Sequence, residues 1–235
     1  LLKPALIRAF KSFHGKDVKN IEIDELLSIA KPFIEKEPAT TGELREFLSS
    51  LAPDQEGNAL AIAVRTYLPC VQVPPGGTWG AGTRASYTTA EKWLGKPNPA
   101  TLETLLHQYL AAFGPASIMD FQAWTGLVSL KKVIEPMQAN LTIYHDENGK
   151  ELLDLPDLPI IKEDIPVPIR FVPEYDNLVV SHKDRTRIIA DSDRKKVFLS
   201  AARVLGTVLI DGFVQATWKS YRDKDTATLA ISLFS

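Results

Sequence analysis

Cysteine, long apolar runs and an excess charge of one sign are all scarce in this sequence. The 235 residues include a single cysteine, Cys70, which excludes an internal disulfide framework and fits a reducing compartment. No apolar run approaches the roughly 20 residues that a membrane-spanning helix needs, and the first residues lack the pattern of a signal peptide. We therefore expect a cytoplasmic protein that does not contact a membrane.

Patterns that bind metals or cofactors are equally rare. The histidines, His14, His107, His145 and His182, lie far apart, and none has a second ligand at the spacing typical of zinc sites. The glycine-rich stretch 76–82 is not followed by Lys-Ser or Lys-Thr, so it does not match a phosphate-binding loop. The sequence predicts neither a metal nor a cofactor.

The formal net charge is only −2. This value argues against a general affinity for nucleic acid, since binding the phosphate backbone needs an excess of Lys and Arg. The charges are unevenly distributed, however: residues 1–20 hold five basic side chains and one acidic, and residues 168–203 hold eight basic and five acidic. These segments either form a positive surface together or are ordinary solvated faces.

What the sequence does contain is an internal repeat. Residues 25–97 and 98–158 share one layout, with two amphipathic helical patterns, a tight turn, a further helix and a short strand pair. Thr40 followed by Glu43 matches a capping box at a helix start, and the Asn-Gly pair at 148–149 is typical of a hairpin turn. The layout predicts two winged helices in tandem, an arrangement that usually means a long footprint on duplex DNA.

A proline-rich linker between residues 157 and 168 separates the repeat from a strand-rich region, because residues that precede proline are pushed to extended conformations. The predicted strands are 169–172, 178–181, 187–190, 207–210, 213–219 and 228–233. Their spacing favours a small antiparallel β-barrel over residues 159–235. Residues 1–24 are interpreted as the end of an upstream helical region. The predicted fold class is α+β.

Five ordered blocks carry a family resemblance: YLPCVQVPPGGTWG at 67–80, YLAAFGPA at 109–116, DFQAWTGL at 120–127, FVPEYDNL at 171–178 and VLIDGFV at 208–214. They resemble the bacterial winged-helix DNA-binding family, whose characterised members are DNA glycosylases that excise alkylated purines and unhook interstrand crosslinks. The resemblance implies tandem winged helices and a C-terminal β-barrel around a concave DNA-binding surface. It also implies double-stranded DNA, alkylated or crosslinked, as the partner; we expect the protein to be a monomer.

The resemblance implies less about catalysis than about fold. In these glycosylases a Gln-x-Gln or Gln-x-Asp pair in the N-terminal part assists the attack of water on the glycosidic bond. None of the glutamines of this chain has Gln or Asp two residues later. The sequence resembles the C-terminal two thirds of such a protein, so we expect the catalytic part to lie upstream.

The most suggestive polar side chains cluster between residues 174 and 187. Asp176 and His182 are the catalytic candidates, since either could orient a flipped nucleotide or a water molecule. Arg185 and Arg187 alternate along a predicted strand and could hold successive phosphates. Alternatively, Asp184 pairs with an arginine and residues 176–177 form a turn.

Four further residues are candidates for DNA contact. Lys131 and Lys132 lie on the predicted second recognition helix, Arg65 on the first, and Trp79 at the tip of the first wing. Each also has an ordinary explanation, because lysines on any amphipathic helix face solvent and a wing tryptophan can pack on its own domain.

The sequence predicts a double-stranded-DNA-binding protein of alkylation or crosslink repair that lacks the catalytic pair. Two alternatives remain open. One is an active glycosylase that uses the cluster from Phe171 to Arg187, and the other is a winged-helix module for protein interaction.

Overall fold

A computed structural model describes residues 1–18, 21–78, 84–96, 98, 100–159 and 164–234. It shows a mixture of helices and antiparallel strands, which confirms the predicted α+β class. The chain forms two compact units, Leu1–Thr101 and Leu102–Ser235. Within the described ranges, no helix has the length and apolar character needed to cross a bilayer.

The first unit contains five helices and three short strands among its described residues. In chain order these are α1 (Lys3–His14), α2 (Ile23–Lys36), β1 (Ala39–Thr40), α3 (Thr41–Leu51), α4 (Gly57–Tyr67), β2 (Cys70–Val73), β3 (Ser86–Thr89) and α5 (Ala90–Leu94). The strands form an antiparallel sheet in the order β1-β3-β2. The core of this unit is built mainly from apolar residues of α2, α3 and α4.

The predicted capping box starts α3. The Thr40 backbone N–H donates to Glu43 Oε2 at 2.7 Å, and the Glu43 N–H donates to Thr40 Oγ1 at 3.2 Å. These bonds satisfy amides that have no partner within the helix, so the helix begins where the sequence predicts it.

The second unit opens with helices and a hairpin in the order that the first unit shows from α2 to β3. It contains α6 (Leu102–Phe113), α7 (Ile118–Thr125), α8 (Lys131–Ile134), a 3-10 helix (Glu135–Asn140), β4 (Thr142–His145) and β5 (Glu151–Asp154). Ala116 forms a single bridge to Leu153 of β5, so the order of pairing repeats that of the first sheet. Ser117 and Asp120 form a second capping box at the same place.

The rest of the second unit is an open sheet with short helical turns. Its elements are β6 (Arg170–Val172), α9 (Asn177–Val180), α10 (Arg194–Val197), a 3-10 turn (Ser200–Ala202), β7 (Thr207–Ile210), β8 (Phe213–Asp223) and β9 (Thr226–Leu233). The strands pair in the order β6-β7-β8-β9. Over the residues that can be described, β6 and β9 do not pair, so the predicted barrel does not close there.

Two predicted strands are wrong. Residues 178–181 fall on α9, because the Asp176 side chain accepts a hydrogen bond from the Leu178 N–H and so caps a helical turn. Residues 187–190 belong to a further turn, in which the Arg185 carbonyl accepts hydrogen bonds from the N–H groups of Ile188 and Ile189. Arg185 and Arg187 consequently do not alternate along a strand.

Candidate functional site

The polar cluster from residue 174 to 187 lies where the C-terminal part of the second unit packs against α6 and α7. The Tyr109 hydroxyl of α6 donates to the Ser181 carbonyl at 2.9 Å. The Trp124 Nε1–H of α7 donates to Asn177 Oδ1 at 3.4 Å. Burial raises the pKa of Tyr109, which keeps the phenol protonated as a donor. The cluster therefore joins α6 and α7 to α9 within one unit.

Asp120 lies at the centre of this junction with 1% of its surface exposed. Its Oδ2 accepts hydrogen bonds from the Ser117 N–H at 2.9 Å and the Ser117 hydroxyl at 2.6 Å. Its Oδ1 accepts from the N–H groups of Lys183 at 3.0 Å and Asp184 at 3.2 Å. Burial opposes the charge, but these bonds and the Lys150 ammonium hold the pKa of Asp120 below its usual range.

His182, a catalytic candidate, is buried with both ring nitrogens engaged. Nε2 lies 3.0 Å from the Phe113 carbonyl, which can only accept, so the proton is assigned to Nε2. Nδ1 then accepts from the Ser181 hydroxyl at 2.9 Å. Burial, followed by the charge of Arg187, lowers the pKa of His182. This environment favours a neutral imidazole that holds the chain in place.

Asp176, the other catalytic candidate, lies at the start of α9. Its Oδ1 accepts the Leu178 N–H at 2.8 Å, and the residue is partly exposed. Asp176 and His182 occur in the same segment but have separate partners, and no bond between them is present among the described contacts. The first caps a helical turn and the second contacts α6.

Arg185 and Arg187 both contact the protein itself. Arg185 Nε donates to the Val179 carbonyl at 3.0 Å, and its guanidinium carbon lies 4.6 Å from the centre of the Phe198 ring. Arg187 is exposed, and one of its terminal nitrogens donates to the Pro115 carbonyl at 3.0 Å. Arg185 is therefore largely committed to packing, whereas Arg187 has donors that remain near solvent.

The other predicted contact residues lie on separate elements. Arg65 stacks 3.8 Å from the centre of the Tyr87 ring and donates to Thr41 Oγ1 at 3.2 Å, which joins α4 to β3 and α3. In the second unit, Lys131 and Lys132 are exposed on α8. Trp79 lies outside the described residues.

Two adjoining clefts bring together cations that the sequence patterns did not single out. One, of about 390 Å³, is lined by Lys150, Lys183 and Arg194 together with Asp184 and Asp191. The other, of about 410 Å³, shares Arg194 and Asp191 and adds Lys195. The basic excess of residues 168–203 was the available signal, but it could not show that Lys150 of the hairpin region joins them.

Within the described ranges, no three side chains of the metal-binding types come together. The two adjoining clefts, together called the basic cleft, lie beside the tightly bonded junction around Asp120. Their charged lining consists of Lys150, Lys183, Arg194, Lys195, Asp184 and Asp191. Arg194 pairs with Asp191 at 3.4 Å, and the Lys150 ammonium lies 3.9 Å from Asp120 and 3.8 Å from Asp184. Among the described ion pairs, this leaves Lys183 and Lys195 as the cations best able to meet an anion.

Known proteins resemble this chain in sequence pattern and in fold. No curated protein matches the chain in sequence. Among solved structures, the Streptomyces sahachiroi DNA glycosylase AlkZ matches with a TM-score of 0.68 at 21% identity. The match covers 95% of this chain and 64% of the AlkZ chain, so this chain spans less than two thirds of that relative. The family model described as DNA glycosylase AlkZ-like matches residues 2–235. The chain therefore belongs to the AlkZ-like DNA glycosylase family.

Proposed function

We propose that this chain is the DNA-binding part of a DNA glycosylase that acts on double-stranded DNA with alkylated or crosslinked bases. Membership of the AlkZ-like family and the fold shared with AlkZ support a role in DNA repair. The sequence of this chain contains no Gln-x-Gln or Gln-x-Asp pair. It therefore binds the duplex without supplying the groups that hold the attacking water.

Each of the two repeats, residues 25–97 and 98–158, is proposed to be a winged helix. The repeated element order, the repeated order of sheet pairing and the capping boxes at Thr40 and Ser117 support this interpretation. The third helix of each repeat, α4 in the first and α8 in the second, would face the duplex. Helix α4 carries Arg65, and α8 carries Lys131 and Lys132.

The basic cleft of the second unit is the observation on which the proposal rests. Four cations, Lys150, Lys183, Arg194 and Lys195, line the two adjoining clefts with two carboxylates, Asp184 and Asp191. A chain with a net charge of −2 gains affinity for DNA only where basic side chains gather locally. The exposed Lys183 and Lys195 are suited to phosphate contacts, which position a duplex without reading its sequence.

Binding to a short labelled duplex, measured by fluorescence anisotropy at several salt concentrations, tests the proposal. Affinity should fall steeply between about 50 and 200 mM salt, because phosphate contacts dominate. Replacing Lys150 and Lys183 together with Glu should weaken binding to all duplexes alike. The matched control replaces Lys36 and Lys92 of the first unit with Glu, which changes the net charge equally, and it should bind more tightly than the Lys150 and Lys183 variant.

Two results would favour the alternatives. Absence of duplex binding at low salt would leave a winged-helix protein-interaction module. Release of an alkylated base by this chain, abolished by Asp176→Asn, would instead indicate an active glycosylase that uses the cluster from Phe171 to Arg187. The bonds of Asp176 and His182 within the protein support structural roles for both.

A further inference from the structure

The capping boxes at Thr40 and Ser117 differ in a way that capping does not explain. In the first unit Glu43 is exposed, and the side-chain hydrogen bonds described for it all involve Thr40. In the second unit Asp120 holds the same position but is 1% exposed. Its Oδ2 makes the capping bonds to Ser117, and its Oδ1 bonds to a distant part of the chain. Burying a carboxylate costs free energy unless the group is fully hydrogen-bonded, and the exposed Glu43 shows that capping does not require burial. The additional contacts of Asp120 therefore indicate a role beyond the cap.

The contacts that Asp120 makes outside the cap fix two parts of the basic cleft. The Asp120 Oδ1 atom accepts the consecutive N–H groups of Lys183 and Asp184 at 3.0 and 3.2 Å. The Lys150 ammonium lies 3.9 Å from Asp120 Oδ2 and 3.8 Å from Asp184 Oδ2. One buried carboxylate thus connects the start of α7, the residue after the 148–149 turn and the loop after α9.

We propose that Asp120 is a positioning residue for phosphate binding, which holds Lys150 and the backbone of Lys183 so that both cations line the cleft with Arg194. This inference rests on the proposed function. A flexible lysine loses side-chain entropy when it binds a phosphate, and part of that loss has already occurred when its ammonium is held between two carboxylates. Asp120 itself, being buried, does not touch DNA.

Asp120→Asn tests the proposal because it keeps the size of the side chain and removes its charge. Each phosphate contact contributes about 0.9 to the slope of log affinity against log salt. This slope is negative, and we expect its magnitude in the variant, measured well below the melting temperature, to fall by about 1 to 2. A purely structural residue would lower the melting temperature and leave the slope of the folded protein unchanged.

Two matched controls separate capping from positioning. Ser117→Ala removes a hydroxyl that bonds to the same carboxylate and leaves the contacts to Lys183 and Asp184 in place, so it should lose stability and keep the slope. Glu43→Gln makes the equivalent change in the first unit and should also keep the slope. If Asp120→Asn binds with the slope and affinity of the unchanged chain, the inference is overturned. If the unchanged chain shows no salt-dependent binding, the proposed function fails instead.

A measurement on the unchanged chain keeps the inference testable should Asp120→Asn not fold. The amides of Lys183 and Asp184 lie in a loop, and the inference expects slow hydrogen exchange at both because they donate to a buried acceptor. Asn148 is the reference, because its N–H also donates to a carboxylate, Asp146 Oδ1, but in an exposed turn. Exchange at Lys183 and Asp184 as fast as that of Asn148, in a chain that still binds DNA, would contradict the inference.

Discussion

At the scale of single residues, the burial of His182 makes the stability of the fold depend on pH. The pKa of His182 in the folded chain is lowered, first by burial and then by the charge of Arg187; the hydrogen bond to Phe113 and the charge of Asp120 oppose this, and Arg185 adds to it. The fold therefore favours the neutral ring. The resulting stability is fully present above the unfolded pKa of about 6.5 and is lost as the pH falls below it.

His182→Gln should remove this pH dependence. We expect the melting temperature of the unchanged chain to exceed that of the variant most at pH values above about 6.5, and the difference to shrink in mildly acidic buffer. Thermal melts across this range measure it. His145→Gln, at an exposed position, is the control and should follow the unchanged chain. A difference that stays constant with pH would show that His182 titrates normally in the fold.

The phosphate contacts of Arg185 and Arg187 stay a prediction, and the structure gives Arg185 a packing role that bears on stability. Its hydrogen bond to Val179 and its position over the Phe198 ring are packing contacts. Arg185→Ala should lower the free energy of unfolding by about 1 to 2 kcal/mol, as measured by urea denaturation. Lys195→Ala, on an exposed side chain, should change it by less than about 0.5 kcal/mol. Unchanged stability with weakened duplex binding would show that the Arg185 guanidinium serves DNA after all.

At the scale of elements, α8 is short but presents two lysines to solvent. Lys131 lies 3.8 Å from Glu135 in an exposed pair, which contributes little to stability. Replacing Lys131 and Lys132 together with Glu should therefore lower affinity for all duplex sequences about equally, with a nearly unchanged melting temperature. Equal binding by the variant and the unchanged chain would remove α8 from the interface. The Lys36 and Lys92 variant again controls for net charge.

The elements that the sequence predicts well are those marked by local chemistry. Thr40 and Glu43 begin α3 as expected, and the Asn-Gly turn at 148–149 connects β4 and β5. The capping box at Ser117 has the same signature with Asp at the third position, so sequence reasoning could have found it. Helix caps and hairpin turns depend on neighbours a few residues away, and these are visible in a sequence.

The wrong strand predictions have the opposite cause, because the contacts that decide the structure there join residues far apart in the sequence. Residues 178–181 are rich in β-branched valine, which favours strand by propensity. The Asp176 cap and the tertiary bonds from Tyr109 and Trp124 outweigh that preference. Asp120 lies 63 and 64 residues from Lys183 and Asp184, whose N–H groups donate to its side chain, so the spacing of residues along the chain could not indicate the cleft that they form.

At the scale of the whole molecule, this chain should not excise alkylated bases by itself. No Gln-x-Gln or Gln-x-Asp pair occurs in its sequence, and displacement requires a water held on the correct face of the sugar. Purified chain incubated with methylated DNA should release no 7-methylguanine above the rate without protein. A glycosylase that contains the pair is the positive control. Enzymatic release would contradict the binding role, and its loss in Asp176→Asn would locate the activity.

The open sheet of the second unit has a consequence for handling the chain in solution. Strand β9 is exposed along its length, and its sequence from Thr226 to Leu233 contains no charged residue and no proline. Its only partner among the described strands is β8. Natural proteins usually protect such an edge with lysine, proline or a bulge, since unpaired backbone groups can recruit another extended chain. We therefore expect concentrated samples of this chain to aggregate through β9, and Leu229→Lys to reduce that aggregation.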